Sequence, residues 1–320
     1  MDKVRVAVVG VGEFGRNHVR IASRCEGVEL VAVVDTDAVR AAEVASVHHC
    51  LALTDTNCLV GQVDAAVVAV PTNAHADAGC QLLESGIDVL IEKPIAPDLA
   101  SADRLIETAQ KNGRVLQVGH LERFNPAVLA LEQVVRMPLF FEIHRLSIFS
   151  RRSLDVDVVL DLMIHDLDLV LSLVPAELTG IRAAGISILS PKVDIANVRL
   201  EFAGGCVANL TASRVSTDRV RKLRLFQPRQ YISVDYSRQD VAVFTAGEDR
   251  QISLEQLPVE KAEPLQLQFD SFLESVKARR RPKLDGLGTR RTLEVALAIL
   301  DKIEEHSGVV AQSLAGGWKP

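Results

Sequence analysis

Hydrophobic positions in the first 120 residues fall into short, unbroken, β-branched runs separated by amphipathic stretches. Val4-Arg5-Val6-Ala7-Val8-Val9, Val28 to Val34, Val63 to Val70, Asp88 to Ile91 and Arg114 to Val118 read as strands buried on both faces. Arg16 to Arg24, about Ala74 to Glu84, and a segment capped by Asp98 or Ser101 read as helices; Gly86 and Gly113 mark the ends of the last two. Strands alternating with helices predict a parallel sheet covered on both sides. The rhythm changes after residue 120. A short amphipathic helix over about Pro126 to Val135 and a strand from Phe140 to Ile148 precede Asp157 to Leu173, which is apolar on nearly every side and predicts a buried helix. Strand-like runs then occur at about 179–189, 195–203, 206–214, 219–227, 230–236, 240–245 and 250–256, with a hairpin turn at Ala203-Gly204-Gly205. Two helices, about 264–280 and 288–306, end the pattern, and the tail around Gly316-Gly317 is expected to be loose. The expected class is α/β: a parallel-sheet domain over 1–120, then an α+β domain over 121–320 with an open, largely antiparallel sheet. One face of that sheet is free to serve as a subunit interface, so a homodimer or homotetramer is expected.

Composition narrows the class without choosing within it. The 320 residues are 48% apolar and 24% charged, normal for a globular protein. A net charge of −6 gives no global signal for nucleic acid or a membrane surface. No apolar run reaches the roughly 18 residues of a membrane span, and no cleavable signal segment precedes Val4. Five scattered cysteines without a CxxC pair point to a reducing cytoplasm. His48-His49 has no ligand partners near it. Asp161 and His165 lack a further Cys/His pair at metal spacing, so no metal is expected.

The chemistry-bearing residues gather where the first-domain strands finish. Gly10-Val11-Gly12-Glu13-Phe14-Gly15 is a GxGxxG turn set between a strand and a helix. There Gly10 allows the tight turn, Gly12 lets a pyrophosphate approach, and Gly15 lets helix and strand pack. Asp35 ends the second strand, at the distance in sequence where an acid binds a ribose diol. Thr36 and Asp37 come next rather than an arginine, which favours NAD over NADP. This combination predicts a dinucleotide-binding Rossmann domain with NAD as cofactor. Pro71, Thr72, Asn73, His75, Glu92, Lys93 and His120 also lie at strand ends, where open α/β sheets bind ligands.

In the second domain, Asp161, His165, Asp168 and Ser172 recur at helical spacing and fall in one stripe, with Asp166 off it. Such a stripe on a buried helix must find partners or line a cavity. A carboxylate one turn from an imidazole suits proton transfer, and equally suits a core histidine bonded to its neighbours. Basic residues cluster at Arg145, Arg151 and Arg152 and at Arg219, Arg221, Lys222 and Arg224. They could bind phosphate or form a solvated sheet edge. Arg279-Arg280-Arg281, at a helix C-terminus, reads as structural.

Taken in order, the GxGxxG turn, Glu92-Lys93-Pro94 and Asp161-x-x-x-His165 resemble the Gfo/Idh/MocA family over almost the whole chain. The resemblance implies NAD(P)-dependent oxidation or reduction of a carbon on a sugar, cyclitol or related compound. It implies Lys93 and His165 as the catalytic pair with Asp161 assisting, and Arg123 and Asn125 beside the substrate with His120. Many members carry several glycines before the catalytic helix; here the run is Ser153-Leu154-Asp155-Val156-Asp157. That run, Val118 to Pro126 and Asp194 to Phe202 are similar to the branch that oxidises C3 of UDP-N-acetylglucosamine toward a 3-amino sugar for lipid A. Two alternatives stay open: a dehydrogenase of a free cyclitol or sugar, and a non-catalytic NAD-binding regulatory protein.

Overall fold

The computed structural model describes residues 3–149 and 156–315, excepting the side chains of 312–315. Arg151, Arg152, the run 153–155 and Gly316-Gly317 lie outside the described residues. The chain divides into two compact units: Met1–Leu121 with Glu263–Leu293, and Glu122–Ala262 with Glu294–Pro320.

The first unit is a six-stranded parallel sheet in the order β3-β2-β1-β4-β5-β6. Its strands are β1 (Val4–Val9), β2 (Val28–Val34), β3 (Leu51–Leu53), β4 (Ala65–Val68), β5 (Asp88–Glu92) and β6 (Leu116–Gly119). Helices α1 (Glu13–Arg24), α2 (Ala38–His48), α3 (His75–Glu84) and α4 (Leu99–Lys111) join them. The strand order reverses at β1, so the crevice for a ligand opens beyond the carboxyl ends of β1 and β4. The pattern had not marked β3, which spans three residues with no buried member.

Helix α7 (Pro264–Ala278) was expected in the second domain and is grouped with the first unit instead. The reason is packing: its Leu265, Phe269, Phe272, Leu273 and Val276 share one core with Val6 and Val8 of β1 and Val19 and Ile21 of α1. An amphipathic helix reveals that it has a buried face, not which sheet covers it.

The second unit is built on an eight-stranded sheet, ordered β14-β13-β12-β11-β7-β10-β9-β8. These strands are β7 (Phe140–Ile148), β8 (Leu178–Ile186), β9 (Ile195–Phe202), β10 (Val207–Ser216), β11 (Val220–Gln227), β12 (Gln230–Asp235), β13 (Asp240–Ala246) and β14 (Ile252–Gln256). Every neighbouring pair is antiparallel except β7 with β10. The expected hairpin is present, with Gly204 and Gly205 both at positive φ. Alternate residues, among them Phe141, Ile143, Leu210, Leu223 and Ile232, enter a core with α5 (Pro126–Val134), α6 (Ile164–Leu173) and Ile299 of α8 (Gly286–Ala315). The opposite face of the sheet carries the other set of side chains.

The buried helix departs from its expected form. Val159–Met163 is a π-helical turn, closed by the Ile164 N–H donating to the Val159 carbonyl, and the α-helix begins only at Ile164. The wider turn rotates the residues after it, so a uniform 100° stripe does not hold across it. Ser172 is exposed, with its hydroxyl bonded back to the Leu169 carbonyl at 2.7 Å. Asp166, which the stripe left out, is buried and paired to Arg145 of β7.

Candidate active site

In the first unit, the glycine turn, Asp35 and Lys93 all sit at strand ends. Gly10 has φ +83°, and a Cβ there would lie 2.7 Å from the Ala69 carbonyl. A Cβ on Gly15 would fall 1.9 Å from the Gly10 oxygen, so α1 reaches the strand only without a side chain. Gly12 differs: a Cβ would meet nothing within 4 Å, and the N-terminus of α1 has no side-chain cap. Open space beside uncapped N–H groups is what a pyrophosphate requires. Glu13 is exposed at the start of α1, and Phe14 lies edge-on to His18 at 5.5 Å.

Asp35 is buried and fully engaged. Its carboxylate accepts from Val11 N (2.9 Å) in the glycine turn, from Asp37 N (3.0 Å), and from the Arg40 guanidinium at 3.1 and 3.2 Å. Desolvation would raise this carboxyl, but the two backbone N–H groups and the Arg40 charge outweigh it and hold it below the ordinary range. The sequence shows no arginine immediately after Asp35. Arg40 lies in the first turn of α2, and the helix turns it back onto the acid.

Pro71 and the 3₁₀ turn Thr72–Ala74 come after β4 at the surface. His75, at the start of α3, is 1% exposed. Its ring nitrogens lie 2.9 Å from the Pro94 carbonyl and 3.0 Å from the Val70 carbonyl. Burial pushes this imidazole below the usual histidine range, and a neutral ring carries one N–H, so it donates to only one of these two carbonyls. Lys93 is half-buried immediately after β5. Glu92 is buried and bonded to His18, while His120 is buried just past β6.

In the second unit the candidates cluster around α6. Asp161 lies in the π-helical turn and is half-buried; His165, in the first turn of α6, is 8% exposed. Asp166 beside it is gripped by Arg145 of β7, whose Nε and Nη2 donate at 2.7 and 2.8 Å. The Arg145 Nη1 donates to Glu122 at 2.9 Å, and the guanidinium lies over the Tyr236 ring at 5.4 Å. Desolvation works against the charge on Arg145 and is overcome by Asp166 and Glu122, which raise the guanidinium further above its ordinary value. Arg123 pairs with Glu132 at 3.3 Å and Asp168 at 3.5 Å. Asn125 is 3% exposed and caps α5: its oxygen accepts from Ala127 N, and its amide donates to Glu122 and the Tyr236 carbonyl.

The basic clusters separate. Arg145 is a core residue and not a phosphate contact. Arg224 pairs with Glu142 on the open face of the sheet. Arg221 is registered directly opposite Arg145, so it lies on the α6 side, half-buried. Among the described residues no group of three or more His, Cys, Asp or Glu could hold a metal. The five cysteines are free thiols. No helix among the described residues is long and apolar enough to cross a membrane.

Known proteins match both units. Residues 4–120 match the oxidoreductase family, NAD-binding Rossmann fold model of GFO/IDH/MocA, and residues 132–232 match the GFO/IDH/MocA C-terminal domain. The chain belongs to the Gfo/Idh/MocA oxidoreductase family. It is 36% identical over 310 residues to a UDP-N-acetylglucosamine 3-dehydrogenase from Acidithiobacillus ferrooxidans, covering 95% of this chain and 98% of that one. A solved structure of that enzyme superposes with a TM-score of 0.90 at 37% identity, covering 95% of this chain and 99% of the other. An inositol 2-dehydrogenase from Arthrobacter is 38% identical over 140 residues, 42% of each chain. The family fold accounts for the six-stranded parallel sheet and the eight-stranded, mostly antiparallel one, and its NAD-binding domain accounts for the open glycine turn. The chain is accordingly an NAD-dependent oxidoreductase, and the non-catalytic alternative is set aside.

Proposed function

We propose that this oxidoreductase converts a hydroxyl of a nucleotide sugar into a ketone, at C3 of UDP-N-acetylglucosamine. The observation that carries the reading is likeness over 95% of the chain to an enzyme of that name, against 42% for the inositol enzyme. In this reading His165 takes the proton of the sugar hydroxyl as general base. Asp161, four residues earlier, orients the imidazole and favours its charged form. Lys93 donates a hydrogen bond to the oxygen on which negative charge develops. Bound NAD supplies the hydride acceptor, and the redox chemistry is its own. Gly12, the α1 N-terminus and Asp35 hold it, with Thr72, Asn73 and His75 shaping the neighbouring strand end. Arg221 is the cation assigned to the diphosphate, with Arg123 and His120 beside the sugar. Asn125, its amide already engaged, serves by fixing Glu122. A 3-ketone is the substrate an aminotransferase needs to install a 3-amino group, which fits a cytoplasmic step toward an amide-linked lipid A. Copies of the chain pair through the open face of the eight-stranded sheet.

The test is NADH absorbance with purified protein, NAD and UDP-N-acetylglucosamine, run with a carbonyl trap because alcohol oxidation by NAD is uphill. A parallel run uses inositol. The expected result is turnover on the nucleotide sugar only. Turnover on inositol alone, or none on the nucleotide sugar despite confirmed NAD binding, would overturn the substrate. His165→Asn is expected to lower kcat about 100-fold while NAD affinity stays within about twofold. An unchanged kcat would remove His165 from its role.

A further inference from the structure

Helix α1 carries a histidine that the cofactor reading does not use. His18 is fully buried, and its Nε2 lies 2.8 Å from Glu92 Oε1, the side chains being 0% and 8% exposed. Facing a carboxylate oxygen, which accepts, Nε2 carries the hydrogen and donates. The other ring nitrogen, Nδ1, is buried without a partner. A position that served packing alone would be better filled by an apolar side chain, since an unmet buried polar atom is a cost. The imidazole is therefore explained by what Nε2 holds.

Glu92 ends β5, next to Lys93. Its second oxygen, Oε2, accepts from the Lys93 backbone N–H at 3.3 Å. The strand on its far side confines it: Glu92 is registered against Gly119 of β6. A Cβ on Gly119 would lie 2.7 Å from Oε1, 2.9 Å from Cδ and 3.0 Å from Oε2. The missing side chain makes the space the carboxylate fills. One residue past the lysine, the Pro94 carbonyl lies 2.9 Å from a ring nitrogen of His75. The backbone of Lys93 is thus held through Glu92 by His18, and on its other side Pro94 adjoins the buried His75 ring.

We infer that His18 and Glu92 are positioning residues for Lys93, joining the helix after the glycine turn to the lysine. Glu92 is then not a cofactor ligand, since both of its oxygens are turned to the protein. This inference rests on the reading of Lys93 as the group that stabilises the developing alkoxide. Holding such a donor in place matters because a displacement of about 1 Å at a reacting centre costs on the order of 100-fold in rate.

The test uses the full-length protein and two readouts. One is amide hydrogen exchange of the segment around Lys93. The other is kcat, normalised to NAD-binding sites, beside KM for NAD in the UDP-N-acetylglucosamine assay. His18→Phe is expected to speed exchange of residues 89–97 at least tenfold and to lower kcat at least tenfold, with KM for NAD within twofold. His18→Gln restores an N–H donor and is expected to recover most of both. Gly119→Ala pushes on the same carboxylate without deleting a polar group, so it carries the test if His18→Phe does not fold. Its expected result is the same loss of kcat at constant KM. Unchanged exchange and kcat in His18→Phe and Gly119→Ala would overturn the inference. So would exchange rising throughout the first unit with no rescue by His18→Gln, or a KM for NAD that rises as kcat falls. Lys93→Met separates the two levels. Full turnover in that variant would remove the catalytic reading of the lysine, whereas the exchange result judges the Glu92 clamp independently of substrate.

Discussion

At the residue scale, a single carboxylate is the proposed selector between NAD and NADP. Asp35 ends β2 beside the glycine turn, the position proposed for a ribose diol, and it pairs with Arg40. Replacing Asp35 with serine removes the diol acceptor and the nearer repulsion toward a 2′-phosphate, and it leaves the Arg40 guanidinium, suited to that phosphate, held by Asp37 alone. The same change frees Val11 N in the glycine turn, a loss that affects both dinucleotides alike and cancels in their ratio. Asp35→Ser is expected to shift the NADP-to-NAD ratio of kcat/KM upward by about 100-fold, from combined gain on one side and loss on the other. An unchanged ratio would show that Arg40 cannot reach the phosphate. Much of this was legible in the sequence: the glycines, Asp35 and Lys93 stand at strand ends, and strand ends are visible as the edges of apolar runs. Arg40 was not, because its contact runs backward from a helix onto the preceding loop. His18 was not, because a histidine inside an amphipathic helix gives no sign of which buried acid it meets.

At the element scale, the helix bearing His165 depends on an ion pair that its own hydrophobic pattern concealed. Asp166 and Glu122 are buried and converge on Arg145, which reaches them from β7. Removing the cation alone leaves two buried carboxylates, and breaking a buried pair in this way costs about 3–5 kcal/mol. Arg145→Met keeps much of the length and volume of the side chain and deletes the charge. Its expected result is a large drop in melting temperature, with loss of turnover in the surviving folded protein because α6 no longer holds its register. Arg145→Met combined with Asp166→Asn and Glu122→Gln removes the stranded charges and is expected to recover much of the stability. A single variant as stable as the parent by thermal unfolding would show that the clamp does not hold α6. The sequence located the helix from its apolar run and placed Asp166 off the stripe, but it left Arg145 in a cluster read as either phosphate-binding or a solvated edge, and the structure buries it against Asp166 and Glu122. The stripe treated the helix as a uniform 3.6-residue spiral, whereas a π-helical turn precedes it and a charged strand residue packs against it.

At the scale of the whole molecule, the chain interleaves its two units, and this was the least legible feature. Strand alternation gave both sheets, but Glu263–Leu293 returns to the first unit through contacts no local pattern encodes. The broad sheet of the second unit raises the remaining question of what its open face meets. On that face Phe140, Phe226, Tyr231 and Phe244 form a row across four adjacent strands, the first pair tilted and the others stacked, with centroid separations of 5.7, 4.9 and 5.1 Å. Leu254 extends the row to β14 and is 57% exposed. Charges of both signs flank it, with Arg224 paired to Glu142 and Arg199 to Glu201. Eight strands spaced about 4.8 Å apart and about 20 Å long give a face of roughly 700 Å². That is close to the roughly 800 Å² per partner of a stable interface. The row lies near the ends of β7, β11 and β12, and a face of this size with apolar and mixed-sign parts is the basis for proposing a second copy of this chain as its occupant. Light scattering is expected to give a mass at least twice that of one chain. Tyr231→Asp places a carboxylate within the row and is expected to return the protein to a single-chain mass with its far-UV spectrum intact. A parent protein that already runs at single-chain mass at micromolar concentration would refute the pairing. So would a Tyr231→Asp variant that keeps the parent's mass, since a buried unpaired charge within such an interface costs several kcal/mol.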